Sequence, residues 1–308
     1  MAIYIKKNSG IKSLEEEPFS SEKEMQGFVQ KNLDELFGLK LIAQEFAPTG
    51  DRRIDTLAFD TKDKNFVIIE YKKGVNWSVV DQGYTYLSLL LDRKADFVLK
   101  LNGVYEHKFS LGDINWEGSR VIFIAPSFTT YQTGSLGFQD IAFELYKLVP
   151  YKDGIISLEQ IQNKNTQAKL SEVKEVSDQA KRVQKEVKSY NVDYHFRSGW
   201  EVGRELFDEL SNRLLELDSR LSIKPVKTYI GINMDRKNIF SVHSRLAGLV
   251  FHIVRFRPKD LKDPAGKLRY LPNSKKYFNV HISEMRITSK ADIDYAILIA
   301  REALGKYK

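Results

Sequence analysis

Apolar residues return at helical spacing between Ser20 and Leu36, with Met25, Phe28, Val29, Leu33 and Leu36 on one stripe. That spacing predicts an amphipathic helix which Ser20 or Ser21 can cap. The period then changes. Leu39 to Phe46, Arg53 to Phe59 and Asn65 to Tyr71 are short apolar runs separated by Pro48-Thr49-Gly50 and Lys62-Asp63-Lys64-Asn65, and they read as a meander of strands. After Gly74, the stripe Val80, Tyr84, Leu87 and Leu91 predicts a helix over Trp77 to Leu91. Strands at Phe97 to Leu101 and Val121 to Phe128, a helix near Ser135 to Leu145 and a short strand at Tyr146 to Pro150 complete the first expected unit.

Between Gln160 and Tyr190 the chain turns polar, yet Leu170, Val173, Val176, Ala180, Val183 and Val187 keep helical spacing. The stripe is short and rich in valine and alanine, which favours a charged connecting helix packed on one of the domains over a dimerising coiled coil. Beyond it come a helix from Gly199 to Leu217, strands near Tyr229 to Ile232, Leu249 to Phe256 and Tyr277 to Ile282, and a last helix from Ala291 to Leu304. The expected fold class is α/β (α+β): a mixed central sheet over residues 1–155, a connecting helix over 156–190, and a smaller α/β domain over 191–308. With 308 residues and 42% hydrophobic content, the chain can bury two cores.

Composition narrows the chemistry. The absence of cysteine excludes disulfides, thiolate zinc sites and a cysteine nucleophile. Met1 to Lys7 reaches two lysines without an apolar core, and no run approaches membrane-spanning length. Cytoplasmic residence is therefore expected, with no membrane partner. The net charge of +7 is unevenly spread: residues 191–308 hold 22 basic and 14 acidic residues, whereas 1–190 hold 26 and 27. Lys224 to Lys276 alone carries 13 basic and 3 acidic residues, an excess able to neutralise phosphates, although a solvated basic surface is the plain alternative.

The strand Asn65 to Lys73 is an uninterrupted apolar run that ends abruptly in charge at Glu70 and Lys72. Strand alternation puts both side chains on one face, where burial is costly unless they are paired, hydrogen-bonded or used to hold a metal. Asp55 on the preceding strand can lie beside Glu70 if the two pair antiparallel. Neighbouring carboxylates repel unless a cation lies between them, and oxygen ligands with open positions suit Mg²⁺ (or Mn²⁺). Such an ion would stabilise charge on a phosphate and acidify a water, which Lys72 could orient. A strand-end ion pair of Glu70 with Lys72, with Asp55 merely accepting a hydrogen bond, fits the same residues.

The flanking sequence carries more. Glu22-Lys23-Glu24-Met25, Gly50-Asp51-Arg52-Arg53-Ile54-Asp55, Ile68-Ile69-Glu70-Tyr71-Lys72-Lys73-Gly74 and Asp81-Gln82-Gly83-Tyr84-Thr85-Tyr86 occur in that order. Over residues 20–92 the chain resembles the PD-(D/E)xK nuclease superfamily, and within it the RecB-like branched-DNA and mismatch endonuclease group. The resemblance implies a restriction-endonuclease-like core and a divalent-metal-dependent nuclease acting on DNA. It implies Asp55 and Glu70 as metal ligands with the Tyr71 carbonyl as a third, and Lys72 serving the attacking water. Glu22 would come from the first helix, with Glu24 as the alternative, and Gln82 from the helix after the strand, with Tyr86 one turn later. Asp51 is an insertion relative to the family pattern, so either Arg52 or Arg53 occupies the arginine position.

Arg52, Arg53 and Lys73 flank this constellation as candidate phosphate contacts, each with an easy alternative as a solvated charge. Trp77, Tyr84 and Tyr86 are aromatic residues that could stack on bases, though core positions are the commoner use. The C-terminal half is similar to a small α/β domain that follows nuclease-like domains elsewhere. In it Arg255, Arg257, Lys275 and Lys276 are candidate nucleic-acid contacts. No P-loop is present, and His107, His195, His243, His252 and His281 lack zinc spacing. DNA is the expected partner. Residues 160–190 or the C-terminal domain would be the docking region for a second copy or another protein. The competing reading is a non-catalytic nucleic-acid-binding or partner-binding module that keeps the nuclease fold.

Overall fold

The computed structural model describes residues 3–7, 10–50, 52–74, 78–134, 142–161, 178–188, 190–235 and 237–307. The chain divides into two compact units: Met1–Leu33, Leu39–Asp60 and Lys64–Ser189 form the first, and Asp34–Gly38, Thr61–Asp63 and Tyr190–Lys308 the second. Among the described residues no helix is long and apolar enough to cross a membrane. The architecture is mixed α/β, as the pattern predicts.

The chain opens with a hairpin, β1 (Tyr4–Lys7) and β2 (Gly10–Ser13), followed by α1 (Glu22–Lys31) and the short α2 (Leu33–Phe37). Ser21 caps α1 by accepting the Glu24 N–H at 3.1 Å. The predicted single helix is two, because Asn32 terminates the first. Then come β3 (Lys40–Phe46), β4 (Ile54–Asp60), β5 (Asn65–Tyr71), α3 (Val79–Asp92), α4 (Lys94–Asn102), β6 (Arg120–Ala125), α5 (Thr130–Gly134), β7 (Phe143–Tyr151), β8 (Ile155–Ile161) and α6 (Asp178–Glu186). The strands form one sheet in the order β3-β4-β5-β6-β7-β8. β3, β4 and β5 pair antiparallel, β5, β6 and β7 parallel, and β8 antiparallel to β7.

Parallel pairing of β5 with β6 requires a crossover, which α3 and α4 supply. Every residue of β5 is buried, as expected for a strand covered on both sheet faces. Leu57, Phe59, Phe66 and Ile68 pack on one face with Leu87, Leu90, Phe97 and Leu101 of α3 and α4. On the other face, Gln30 of α1 donates to Thr56 Oγ1 at 2.6 Å, and Thr56 Oγ1 lies 3.2 Å from the Tyr71 hydroxyl.

Several elements differ from the pattern-based expectation. Phe97–Leu101 is helical, within α4, because Phe97, Val98 and Leu101 are buried whereas Leu99 is exposed; five apolar residues do not distinguish the two periods. The expected helix over 135–145 falls partly outside the described residues, at 135–141, and Phe143 begins β7 instead. The start of the expected connecting helix is the strand β8, which completes the sheet edge. Residues 162–177 of that connection lie outside the described residues. Its last part, α6, does pack on the first unit, through Ala180 and Val183, with Val187 just beyond it.

α3 approaches the sheet closely at Gly83, where a Cβ would stand 2.5 Å from the Phe143 ring. Tyr84 then meets Phe143 edge to face at 5.0 Å between centroids. Gly83→Val is therefore expected to cost about 1–3 kcal/mol through overpacking. Urea unfolding checks this; unchanged stability would mean that α3 is free to lift.

The second unit contains α7 (Glu201–Leu215), β9 (Leu221–Pro225), β10 (Ile230–Met234), β11 (Lys237–Arg245), β12 (Gly248–Val254), β13 (Arg269–Tyr270), α8 (Ser274–Phe278), β14 (Ile282–Ile287) and α9 (Lys290–Lys306). Its sheet is antiparallel in the order β13-β14-β12-β11-β10-β9. Alternate residues such as Ile232, Phe240, Val242, Phe251, Ile253 and Met285 share a core with Phe207 and Leu210 of α7 and Ile293 and Ala300 of α9. Of the strand expected over Tyr277 to Ile282, all but Ile282, which begins β14, is a helical turn and a loop. Asn273 and Asn279, with φ of 59° and 57°, bracket α8 in left-handed conformations that extended chain cannot adopt.

Candidate active site

The register Thr56↔Ile69 between β4 and β5 makes Asp55 and Glu70 the next facing pair. Both project on the α3 side of the sheet, beside Leu57 and Ile68. Asp55 Oδ2 accepts the Tyr71 N–H at 3.2 Å, so the end of β5 itself positions this carboxylate. Lys72 Nζ donates to Glu70 Oε1 at 2.8 Å. The other oxygen, Glu70 Oε2, is buried and makes no hydrogen bond of normal length among the described residues, with the Tyr86 hydroxyl the nearby donor that helps to lower this carboxylate.

Electrostatics follow from this crowding. Burial raises Asp55, as do the charges of Glu45 and Glu22, against the lowering effect of the Tyr71 N–H and Lys72. Burial and then the charge of Asp55 push Glu70 up to about 7, with Lys72 opposing. Burial alone would lower Lys72, but its bond to Glu70 and the charges of Glu70, Asp55 and Glu22 hold it above its ordinary value. Burial thus outweighs the lysine at both carboxylates.

α1 closes one side. Glu22 Oε1 accepts the Lys73 N–H at 2.7 Å, and Lys73 Nζ donates to the Ser20 carbonyl at 2.7 Å. Glu24 instead takes the Ser20 N–H and hydroxyl, each at 2.6 Å. Of the two glutamates, Glu22 is the one that bonds the segment just after β5. α3 closes the other side with Gln82 and Tyr86 one turn apart. Among the described residues, Gln82 Oε1 is buried without a partner. Burial, and then the charge of Glu70, raise the Tyr86 phenol, which donates to the Arg53 carbonyl at 3.4 Å. Arg52 is exposed, and Trp77 lies outside the described residues.

Glu45 is a site residue that the pattern did not single out. It has a φ of 51° within β3, its Oε2 lies 2.6 Å from Arg53 Nε, and its Oε1 accepts from Gln26 Nε2 at 3.1 Å. Gln26 Nε2 also donates to the Asp55 carbonyl at 2.8 Å. The spacing of Gln26 and Gln30 was the available signal: one turn apart on α1, both reach the Asp55 carbonyl. Left-handed backbone at a non-glycine strand residue is costly, and such strain concentrates at functional sites.

The C-terminal candidates belong to the second unit. Arg257 makes a two-pronged pair with Asp260, at 3.1 Å for each contact, and Lys275 Nζ donates to the Asn279 carbonyl at 3.0 Å. Arg255 and Lys276 are exposed. Two histidines that sequence spacing left scattered are neighbours across β11 and β12: His243 Nε2 is 3.1 Å from His252 Nδ1, and His252 Nε2 is 3.3 Å from Glu284. Burial lowers both imidazoles, His243 to about 4 and His252 to about 3.

Among the described residues, no three His, Cys, Asp or Glu side chains are grouped to hold a metal. The Asp55 and Glu70 pair nevertheless suits a hard divalent cation. Among the described residues Glu70 presents a buried oxygen without a hydrogen bond of normal length, the charge of Asp55 raises Glu70, and Mg²⁺ takes one or two carboxylates with water and phosphate oxygens completing its shell.

No family model matches the chain. An "Uncharacterized protein" of Haemophilus influenzae is 31% identical over 304 residues, covering 99% of each chain. Among solved structures, a repair endonuclease from Pyrococcus abyssi aligns over 40% of this chain and 45% of its own, with 24% identity and a TM-score of 0.23.

Proposed function

The chain belongs to one family with its full-length Haemophilus influenzae relative, and we propose that it is a divalent-metal-dependent nuclease that hydrolyses DNA phosphodiester bonds. The observation that carries this reading is the pairing of two buried neighbouring carboxylates, Asp55 and Glu70, with Lys72 on one oxygen of Glu70 and the other oxygen, among the described residues, without a hydrogen bond of normal length. Asp55, Glu70 and the Tyr71 carbonyl would hold Mg²⁺ or Mn²⁺. Bound there, the cation supplies Lewis acidity to the scissile phosphate and lowers the pKa of a water.

The rest falls to the protein's own groups. Lys72 orients the attacking water and offsets the negative charge that builds up as the water oxygen bonds to phosphorus and one phosphorus–oxygen bond breaks. Glu22 and Gln82 approach from α1 and α3 and position water or substrate, and Tyr86 supports Gln82. Arg52 and Arg53 hold flanking phosphates, with Arg53 oriented through Glu45. Lys73 is less available, since its ammonium serves the Ser20 carbonyl. The second unit contributes substrate affinity through Arg255, Lys275 and Lys276, with Arg257 partly committed to Asp260.

Cleavage of single-stranded, duplex and branched DNA, measured in Mg²⁺, Mn²⁺ and EDTA, tests the proposal. Metal-dependent cleavage that Asp55→Ala removes is expected. The Lys72–Glu70 ion pair also suits a retained fold without catalysis. That second reading gains if DNA binds with salt sensitivity but is never cut, and equal cleavage by wild type and Asp55→Ala would sink the assigned site.

A further inference from the structure

The corner of the second unit built by β13, α8 and β14 combines exposed aromatic rings with unbalanced positive charge. Residues 255–276 contain eight basic residues, Arg255, Arg257, Lys259, Lys262, Lys267, Arg269, Lys275 and Lys276, against two acidic ones, Asp260 and Asp263, an excess of six. Both acids are committed internally. Asp260 is held by Arg257, and Asp263 accepts from Tyr295 and from the Lys267 and Leu268 N–H groups at 2.5, 3.0 and 2.9 Å. Arg255, Lys259, Arg269, Lys275 and Lys276 remain exposed.

Two aromatic rings lie within this charge. Tyr277 is 57% exposed, with Lys276 Nζ 5.8 Å from its ring centre. Tyr270 is 38% exposed, and its hydroxyl lies 3.0 Å from His281 Nδ1. The framework beneath them is firm. Ser274 is fully buried and its hydroxyl accepts the Ile282 N–H at 3.2 Å, Leu271 N–H donates to Ile282 at 3.0 Å, and the Arg255 N–H donates to the His281 carbonyl at 2.6 Å. These bonds tie β12, β13, α8 and β14 into one surface. A large exposed ring on an anchored turn loses little conformational freedom when a base stacks on it.

We propose that this corner binds single-stranded nucleic acid, with Tyr277 and Tyr270 stacking on bases and Arg255, Arg269, Lys275 and Lys276 contacting phosphates. Stacking selects single strands because paired bases keep their faces within the duplex, whereas cations alone would not discriminate. The proposal deepens the nucleic-acid reading above by naming the strand state, and it rests on that reading but not on catalysis.

Fluorescence polarisation of the full chain with labelled dT20, U20 and a 20-base-pair duplex, in EDTA and across a sodium chloride series, reads binding without turnover. Single strands are expected to bind more tightly than the duplex, and Tyr277→Ala is expected to weaken them by about 5-fold or more while Tyr277→Trp retains binding. A Lys275→Gln, Lys276→Gln double variant is expected to flatten the plot of log K against log salt by about 1.4. Tighter dT20 binding assigns DNA as the source of the strand, tighter U20 binding assigns RNA, and either supports the surface. Equal or tighter duplex binding, an unaffected Tyr277→Ala variant, or an unchanged salt slope would overturn it. Metal-dependent cleavage without strand-selective binding rejects the surface alone; strand-selective binding without cleavage in any metal rejects the nuclease reading alone.

Discussion

Lys72→Ala is expected to lower metal-dependent DNA cleavage by about 10²–10³-fold, with a folded circular dichroism spectrum retained. Two effects combine. The variant would lose the cation proposed to orient water and balance charge on the phosphate. It also removes the group that most opposes the upward shift of Glu70, so the carboxyl holds its proton to higher pH. The rate profile should therefore move toward alkaline pH as well as fall. Removing one partner of a buried ion pair is usually destabilising by about 3–5 kcal/mol because a naked charge remains. Here proton uptake by Glu70 limits that cost. Lys72→Arg keeps the charge but spreads it over a planar fork that donates from different positions, so only partial rescue is expected. Full activity in Lys72→Ala would remove this residue from the mechanism.

Glu70→Gln is expected to abolish cleavage and to flatten the loss of stability of the metal-free protein as pH rises from 5 to 8. Burial and Asp55 raise the Glu70 carboxyl from its ordinary 4.5 to about 7. A carboxyl with a higher pKa when folded than when unfolded binds more protons in the folded state between those values. Its favourable contribution is complete below pH 4.5 and is lost as pH rises to about 7. The shift corresponds to about 3 kcal/mol at full development, and the raised Asp55 acts in the same direction. Urea unfolding in EDTA at pH 5, 6, 7 and 8 should show the wild type losing stability over that range more steeply than Glu70→Gln. Adding Mn²⁺ at pH 8 should restore stability to the wild type, as expected for a ligand that binds the folded state, but not to the variant. The same loss of stability from pH 5 to pH 8 in wild type and Glu70→Gln would contradict the electrostatic description.

Much of the core was legible because its signals are local. The apolar run of β5 ending in Glu70 and Lys72, and the short turn back to β4, set the pairing that brings Asp55 alongside. Glu22 and Glu24 could not be separated by spacing, since helix rotation within half a turn decides between them. It is the Ser20 contacts that turn Glu24 away. Glu45 escaped notice because a positive φ in a strand leaves no mark in a residue pattern. Phe97 to Leu101 is too short an apolar run to declare its period, and β13, with two residues, is shorter than any window that could detect it. The meeting of His243 with His252 depends on the register of β11 with β12, a relation that spacing along the chain does not contain.

The identity of Asp55 and Glu70 as a divalent-cation site is tested most directly by anomalous diffraction from crystals soaked in Mn²⁺ at pH 8. A manganese peak between the Asp55 and Glu70 carboxylates, absent from crystals of Asp55→Ala, is expected. Well-ordered carboxylates with no peak between them, or manganese bound only elsewhere on the chain, would contradict it.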